Sequence, residues 1–232
     1  MSEPEQHGFA RAREVVLARI AAAARRAGRD PDEVQLVAVS KTVPVERVRD
    51  AIAAGLVVRG ENRVQEGEAK RPLAPGATWQ LIGPLQSNKA RRAIETFDVV
   101  QSVDSAALAG RLSRIAIELG RAPLPVLLQV NVDDDPQKAG FTPVAVEAGL
   151  ASLLDLPGVR IDGLMTVGRL AASTEAARPT FVALRHLSQR LREQDARLGA
   201  ALSMGMSDDF EVAVEEGATI VRVGRALFGE RG

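Results

Sequence analysis

The chain has 232 residues, of which 46% are hydrophobic and 26% are charged, a balance typical of a folded globular protein. Its 30 basic and 30 acidic residues cancel, so no overall charge favours binding to nucleic acid or to a membrane surface. The absence of cysteine excludes disulfides, thiol catalysis and thiolate metal sites. The two histidines, His7 and His186, lie in a predicted N-terminal tail and inside a predicted helix, so we expect no metal site.

The N-terminal segment does not have the features of a targeting sequence. Residues 1–5 are acidic and lack the basic and apolar regions of a signal peptide. No run of about 18 apolar residues occurs that would span a membrane. We therefore expect a soluble, cytoplasmic protein, with residues 1–8 as a flexible tail.

The predicted elements begin with a helix over Phe9–Arg26 and then alternate between short apolar strands and helical segments. The predicted strands are Val34–Ser40, Leu56–Arg59, Thr78–Ile82, Asp98–Ser102, Val126–Val132, Val159–Met165, Ala201–Met204 and Thr219–Val223. The predicted helices between and after them are Val45–Ala54, Glu61–Lys70, Ser87–Glu95, Ser105–Leu119, Pro143–Leu154, Thr174–Gln194 and Asp208–Glu216. Apolar strands that alternate with helices indicate a parallel sheet with right-handed crossovers.

Eight such strands in a chain of this length favour an α/β fold of the TIM type, a single (β/α)8 barrel with an extra N-terminal helix. A doubly wound open sheet is the main alternative. No linker or low-complexity tract divides the chain, so residues 1–232 are predicted to form a single domain.

Polar and glycine-rich segments follow the predicted strands directly. They include residues 40–42, 60–62, 82–89, 102–104, 131–140, 164–166, 203–209 and 222–225. In a barrel the carboxyl ends of the strands form the active site, so these segments are predicted to meet at one mouth. The alternative is that they are polar only because loops generally are.

Lys41 follows the first predicted strand, and it is one of four lysines against 26 arginines. An amine held at the end of a barrel strand is partly desolvated, which lowers its pKa and makes it a nucleophile toward an aldehyde. The alternative is an ordinary lysine that extends from the strand end into water.

Ser207 and Gly224 lie in the loops after the last two strands, where barrels frequently bind phosphate. Ser207 is predicted to open a helix with Asp208 and Asp209 in its first turn, which would present backbone amides to an anion. A glycine at 224 would let a phosphate approach the backbone closely. Alternatively, Ser207 is a simple helix cap and Gly224 a simple turn residue.

Arg222 ends the eighth predicted strand, which neighbours the first in a closed barrel. Its guanidinium only donates hydrogen bonds, so a ring nitrogen that faces it would stay unprotonated. The alternative is an ion pair with Glu216 or Glu230. Together the lysine, the phosphate loops and this arginine are compatible with pyridoxal 5′-phosphate (PLP) as the ligand.

Three further residues have open roles. Asn62 could hydrogen-bond the cofactor ring oxygen or orient the lysine, or it could simply start a helix. Lys89 is expected to cap a helix or to lie on the rim. Lys138, in an aspartate-rich loop, is expected to be solvated, although it could supply a second amine near the mouth.

Several motifs, in order, resemble the pyridoxal phosphate homeostasis protein (YggS/PROSC) family over nearly the whole chain after the first helix. They are residues 38–42 (AVSKT), 60–62 (GEN) with 64–66 (VQE), 82–83 (IG) with 85–89 (LQSNK), 129–132 (QVNV), 163–165 (GLM), 202–209 (LSMGMSDD), 221–224 (VRVG) and 227–229 (LFG). The segment Ser203–Ser207 is the most specific of them.

The resemblance implies a fold-type III barrel similar to the N-terminal domain of alanine racemase. It implies that Lys41 carries PLP as a Schiff base, that Arg222 faces the pyridine nitrogen, and that Ser207 and Gly224 bind the phosphate. The family usually has tyrosine and histidine where this chain has Arg63 and Pro84. These two departures put contacts at the rim in doubt, but they leave the main cofactor contacts in place.

The family resemblance implies a PLP carrier with no established reaction, and apo PLP-dependent enzymes would be its recipients. An amino-acid racemase is the alternative, but it needs a second base and the chain has no tyrosine. We also expect no second domain after Gly232 to cover the site. A Schiff-base aldolase without cofactor would explain Lys41 but not Arg222 beside a phosphate site. We expect no catalytic residue and a monomeric protein.

Overall fold

Eight parallel strands form a closed barrel in the computed structural model, which describes residues 3–168 and 173–229. The strands are β1 (Gln35–Val39), β2 (Val58–Glu61), β3 (Thr78–Leu81), β4 (Val99–Val103), β5 (Leu124–Gln129), β6 (Val159–Met165), β7 (Ala201–Ser203) and β8 (Ile220–Val223). Each strand pairs with the next in sequence, and β8 pairs with β1. The predicted barrel is confirmed, and the alternative of an open sheet is wrong.

Helices surround the barrel on its outer side, as expected for crossover connections between parallel strands. They are α1 (Glu3–Arg26), α2 (Val45–Ala53), α3 (Val64–Lys70), α4 (Ala90–Thr96), α5 (Ala106–Glu118), α6 (Pro143–Leu154), α7 (Arg178–Gln194), α8 (Phe210–Glu215) and α9 (Arg225–Phe228). Short 3-10 turns cover Pro31–Glu33, Arg71–Leu73, Ser87–Lys89 and Glu175–Ala177. The predicted helix over Ser87–Glu95 therefore consists of a 3-10 turn followed by α4.

Two boundaries differ from the prediction in ways that affect the site. Glu61 was predicted to begin a helix, but it is the last residue of β2, because it pairs with Leu81 of β3. Asp208 and Asp209 precede α8 rather than forming its first turn. There the Asp209 carboxylate accepts a hydrogen bond from the Met206 amide at 2.6 Å, which stabilises a turn before the helix.

The first helix is longer than predicted and packs outside the barrel. It begins at Glu3, so residues 3–8 continue the helix, while Met1 and Ser2 lie outside the described residues. Arg19 forms an ion pair with Glu211 of α8 at 2.8 Å. The Phe9 ring packs against the Phe228 ring of α9 with 5.5 Å between their centroids. The helix therefore supports the β7–β8 side of the barrel. None of the described helices is long and apolar enough to cross a membrane.

The two faces of each strand have different surroundings. On β2, a side chain at Gly60 would meet Val37 and Ile82, which face the barrel interior. The neighbours Arg59 and Glu61 point the other way, toward the helices: the Arg59 guanidinium lies over the ring of Phe228 at 5.0 Å. Most buried apolar residues belong to this outer layer between strands and helices. The barrel interior opens at the carboxyl ends of the strands.

Candidate functional site

A cavity of about 480 Å³ opens at the carboxyl ends of the strands, within the size range of small-molecule sites. Its lining includes all five residues that the sequence predicted as cofactor contacts: Lys41, Asn62, Ser207, Arg222 and Gly224. The strand register brings them together, because Val39 of β1 pairs with Gly60 of β2 while Ala38 pairs with Val223 of β8. The loops that follow these three strands are therefore neighbours.

Lys41 lies two residues beyond the end of β1, in the turn that leads to α2. It is half-buried and lines the cavity. The next residue, Thr42, has a φ of 65°, in the left-handed region that residues other than glycine rarely adopt. Its hydroxyl donates to the Lys41 carbonyl oxygen at 2.6 Å. The chain thus turns sharply at Lys41, and the lysine remains at the mouth of the barrel.

Arg222 extends from β8 into the barrel and is only 4% exposed. Its Nη1 donates to the Ser203 hydroxyl at 2.7 Å, and its Nη2 donates to the Thr166 carbonyl oxygen at 2.8 Å. An arginine has five N–H groups, so further donors remain on this guanidinium, which lines the cavity. The arginine is therefore held by two neighbouring strands and positioned by them.

A chain of hydrogen bonds continues from Arg222 down the barrel interior. The Ser203 hydroxyl donates to Gln101 Oε1 at 2.6 Å, and Gln101 donates in turn to Gln80. Gln80 Nε2 donates to Gln35 Oε1 at 3.2 Å. We call these five residues the polar ladder. Because its members satisfy one another, the ladder fixes the rotamer of Arg222 in a site where unpaired polar groups would be costly.

Burial lowers the pKa of Arg222 to about 10, while the nearby Asp209 carboxylate acts in the opposite direction. Arg222 therefore stays protonated at neutral pH. Burial raises the pKa of Asp209 itself, against the effects of the Met206 amide and of Arg222. The alternative of an ion pair with Glu216 is wrong, because Glu216 instead pairs with two arginines of α7, at 2.7 and 2.8 Å. Glu230 lies outside the described residues.

Ser207 and Gly224 lie side by side, although the predicted helix start at Ser207 is wrong. Ser207 is in the turn before α8, and its hydroxyl oxygen accepts a hydrogen bond from the Gly224 amide at 3.1 Å. Gly224 is the N-terminal cap of the short helix α9. A hydroxyl and a backbone N–H therefore lie together at the end of the cavity nearest β8, where an anion would find hydrogen-bond donors.

Asn62 lies between β2 and α3 and lines the cavity, whereas the cap of α3 is Arg63. The interpretation of Asn62 as a helix start is therefore wrong. Its backbone is in close contact with Gly83 after β3: a Cβ built on Gly83 would lie 2.3 Å from the Asn62 carbonyl oxygen. Only glycine fits there, so the GEN and IG motifs form one packed unit that fixes the position of Asn62.

Lys138 also lines the cavity and is less solvated than expected. Its Nζ donates to the Val167 carbonyl oxygen at 3.0 Å and lies 3.9 and 3.8 Å from carboxylate oxygens of Asp133 and Asp135. Lys89 ends a 3-10 turn and caps α4, as expected. Of the two family departures, Pro84 lines the cavity, and Arg63 is exposed.

The residues that support the site from outside the predicted contact set were not predicted from the sequence. Ser203 and the Thr166 carbonyl hold Arg222, and Asp209 shapes the loop that carries Ser207. A signal was present in the sequence, because Gln80 and Gln101 lie in the middle of predicted strands that are otherwise mostly apolar. Polar residues inside a buried strand require partners, and here those partners lie on other strands.

The cavity combines three kinds of functional group. An amine comes from Lys41, a positively charged donor from Arg222, and a hydroxyl–amide pair from Ser207 and Gly224. This set matches a small aldehyde with a ring nitrogen and a phosphate group. Among the described residues, no group of histidine, aspartate and glutamate side chains could hold a metal ion.

Comparisons with known proteins give the same picture. Residues 15–232 match the family model described as the N-terminal domain of alanine racemase. The pyridoxal phosphate homeostasis protein of Pseudomonas aeruginosa is 46% identical over 223 residues, which cover 93% of each chain. The protein of that name from Escherichia coli K12 is 40% identical over 235 residues, which cover 97% of this chain and 96% of the relative.

Solved structures agree with the sequence relatives. The structure of PipY from Synechococcus elongatus with PLP bound is 45% identical to this chain, covers 92% of it and has a TM-score of 0.81. An alanine racemase of Clostridium difficile has a TM-score of 0.72 at 18% identity, and that likeness concerns the fold alone. Because the sequence similarity extends over nearly the full length of relatives that share one name, the chain belongs to the pyridoxal phosphate homeostasis protein family.

Proposed function

We propose that this chain binds PLP through a Schiff base on Lys41 and acts in PLP (vitamin B6) homeostasis as a carrier that buffers or delivers the cofactor. The observation that carries the proposal is that Lys41, Arg222 and the Ser207–Gly224 pair line a single cavity. The PLP-bound structure of PipY, 45% identical, supports the choice of ligand. The proposal includes a cytoplasmic monomer with residues 1–232 as one domain, and apo PLP-dependent enzymes as recipients.

Gly224 supports a phosphate at the β8 end of the cavity. Its φ is −116°, so its backbone does not require glycine. A Cβ there would make ordinary contacts with Val39, the nearest atom being 3.4 Å away. The packing of the chain itself therefore does not exclude a side chain at 224. Close approach of a ligand to the backbone is a physical reason for glycine at this position.

Arg222 determines how the bound ring would behave. When bound, PLP supplies an electron-withdrawing ring, and it does so best when its ring nitrogen is protonated. Arg222 keeps its own proton at neutral pH, because its pKa is still about 10 after burial. A protonated guanidinium offers only donors, so Arg222 is suited to an unprotonated ring nitrogen. A ring held in this way is a weaker electron sink, which works against stable carbanion intermediates and is compatible with a carrier.

A racemase is the second candidate, because the fold is that of the alanine racemase N-terminal domain. A racemase needs a second base opposite the lysine. The chain has no tyrosine, and no histidine is among the residues that line the cavity in the described part of the chain. Lys138 is the remaining amine at the mouth, and it is engaged with Val167 and two aspartates. We therefore propose that the protein is not an enzyme.

The attachment site can be tested by reduction and mapping. Purified protein incubated with PLP should absorb in the visible range, and borohydride should bleach the band and leave phosphopyridoxyl on Lys41. Lys41→Ala should stay colourless, whereas the matched control Lys89→Ala, which changes a lysine outside the cavity lining, should keep the band. An undiminished band in Lys41→Ala would refute the assignment.

A second experiment separates carrier from enzyme. The PLP-loaded protein is incubated with single L-amino acids in deuterated water, and we expect no exchange at Cα at enzymatic rates. Enzymatic exchange would establish a catalyst and refute the carrier proposal. Transfer of PLP to an apo-enzyme faster than PLP dissociates into solution would support active delivery, and transfer at the rate of dissociation would support buffering.

A further inference from the structure

Lys70 is buried on the outer side of the barrel, next to the turn that carries Lys41, and it does not line the cavity described above. It is the last residue of α3 and is 8% exposed. Its Nζ donates to the Ser40 carbonyl oxygen at 2.7 Å, to Glu61 Oε1 at 2.9 Å and to Glu66 Oε2 at 3.3 Å. An ammonium group has three donors, so all of them are used.

The partners of Lys70 are connected to one another and to the turn that holds Lys41. The Ser40 hydroxyl donates to Glu61 Oε1 at 2.7 Å. On the other side, the Thr42 amide donates to Glu66 Oε2 at 2.8 Å. We call Ser40, Thr42, Glu61, Glu66 and Lys70 the Lys70 cluster.

The cluster holds the backbone on both sides of Lys41. Lys70 fixes the carbonyl of the residue before it, and Glu66 fixes the amide of the residue after it. Thr42 has a left-handed φ of 65°, which is unfavourable for a β-branched residue and persists only where its surroundings enforce it. The hydrogen bond to Glu66 is a contact of that kind.

We infer that the Lys70 cluster is a positioning device that keeps the Lys41 turn in its binding conformation. The inference rests on the proposed attachment of PLP to Lys41. Lys70, Glu61 and Glu66 are absent from the residues that line the cavity, as far as the chain is described, so they act through the backbone of the turn. A buried charged group is destabilising unless it is paired. In this cluster the paired groups Lys70 and Glu66 also hydrogen-bond the backbone on either side of Lys41.

The electrostatics of the cluster are consistent with this role. Burial raises the pKa of Glu61, while Lys70 and Ser40 act against it. Burial also acts to raise the pKa of Glu66, but the Thr42 amide and Lys70 outweigh it, so the pKa of Glu66 is lowered. Glu66 is therefore ionised at neutral pH and accepts a charge-assisted hydrogen bond from the turn.

The test uses Glu66→Ala, Glu66→Gln and Lys70→Met. Arg71→Met is the matched control, because Arg71 follows Lys70 in sequence and forms a half-buried ion pair with Asp98 at 2.8 Å, away from the turn. Two readouts need no PLP. One is the exchange rate of the Thr42 amide. The other is reductive methylation of Lys41 relative to Lys89, which peptide mapping resolves easily among four lysines. The third readout is the dissociation constant for PLP.

We expect Glu66→Ala and Lys70→Met to speed Thr42 amide exchange, change the labelling of Lys41 relative to Lys89, and weaken PLP binding by about tenfold or more, the effect of losing one charge-assisted hydrogen bond. Glu66→Gln retains an acceptor oxygen and should be intermediate. Arg71→Met should lower thermal stability without changing any of the three readouts. Wild-type exchange and labelling in both Glu66 variants would overturn the inference, and so would equal changes in the control.

The experiment distinguishes failure of this inference from misfolding of a variant and from failure of the proposed attachment at Lys41. If Lys70→Met does not fold, the Glu66 variants still decide, because the Glu66 side chain is 23% exposed and its loss leaves the Lys70–Glu61 pair in place. If phosphopyridoxyl maps to a residue other than Lys41 in the wild type, the proposed attachment fails. The two measurements made without PLP then still show whether the cluster holds the turn.

Discussion

Replacing Gly224 with alanine should have opposite effects on folding and on PLP binding. The new methyl group would make ordinary contacts, the nearest being the Val39 carbonyl oxygen at 3.4 Å, and φ is −116°. A Gly→Ala change that the native backbone accepts stabilises by about 0.4–1 kcal/mol, because the unfolded chain loses freedom. For a chain of this size, that corresponds to an apo melting temperature raised by about 1–4 °C.

The same methyl group should prevent a phosphate from approaching the Gly224 amide. Loss of a hydrogen bond to a charged group costs about 1.5–3 kcal/mol. PLP affinity should therefore fall roughly tenfold to a hundredfold. The Gly224 amide now donates to the Ser207 hydroxyl, which also lines the cavity, so a bound phosphate would replace that hydroxyl as the acceptor of the amide.

The assay pairs apo melting curves with an absorbance titration of PLP. Gly110→Ala is the matched control, since Gly110 lies within α5, where a Cβ meets no atom within 4 Å. It should raise the melting temperature, because alanine is favoured over glycine in a helix by about 1 kcal/mol, and it should leave PLP affinity unchanged. Wild-type PLP affinity in Gly224→Ala would refute the phosphate contact. A melting temperature lowered by several degrees would refute the packing argument.

Three further changes test the support of the site. Ser203→Ala leaves an Arg222 N–H without its partner. We therefore expect the free energy of unfolding, measured in urea, to fall by about 1–3 kcal/mol, and titration to show weaker PLP binding. Unchanged values would mean that the polar ladder is dispensable. Gly83→Ala would place a methyl group 2.3 Å from the Asn62 carbonyl oxygen, so the apo protein should lose at least about 1–3 kcal/mol, and wild-type melting would contradict the close packing. The pKa of Glu66 is lowered because hydrogen bonds and positive charge outweigh its burial, so its contribution is present above its unfolded pKa of 4.5 and is lost as pH falls through the folded value. The stability difference between wild type and Glu66→Gln, from urea unfolding, should therefore shrink below pH 4.5, and a difference independent of pH would contradict this.

The barrel and its mouth could be predicted because they follow from local patterns. Apolar runs of strand length alternate with helices, and a closed parallel barrel brings every strand end to one side. The five predicted cofactor contacts lie at or just beyond strand ends, and all of them line the cavity: Lys41, Asn62, Ser207, Arg222 and Gly224. Closure also makes β8 the neighbour of β1, which places Arg222 near Lys41 although they are far apart in sequence.

The supporting contacts could not be predicted, because they join residues whose relative positions depend on the barrel's register. Ser203 and Gln101 are 102 positions apart in sequence, and nothing local indicates that their side chains meet inside the barrel. The Lys70 cluster was missed for a related reason. Its Glu66–Lys70 pair at i,i+4 resembles an ordinary solvated helix pair, and only the packing of α3 against β1 and β2 buries it.

The way in which Arg222 is held bears on whether the site retains PLP or reacts with it. Two hydrogen bonds hold its guanidinium, one to the Ser203 hydroxyl of β7 and one to the Thr166 carbonyl oxygen just after β6, so a change of rotamer would leave buried groups unpaired. The nearby Asp209 carboxylate offsets part of the cost of burying this charge. A fixed, protonated guanidinium in the cavity is thus a stable feature of the fold. Such a group disfavours a protonated ring nitrogen and so makes a bound ring a weaker electron sink, a property compatible with the proposed role of a carrier.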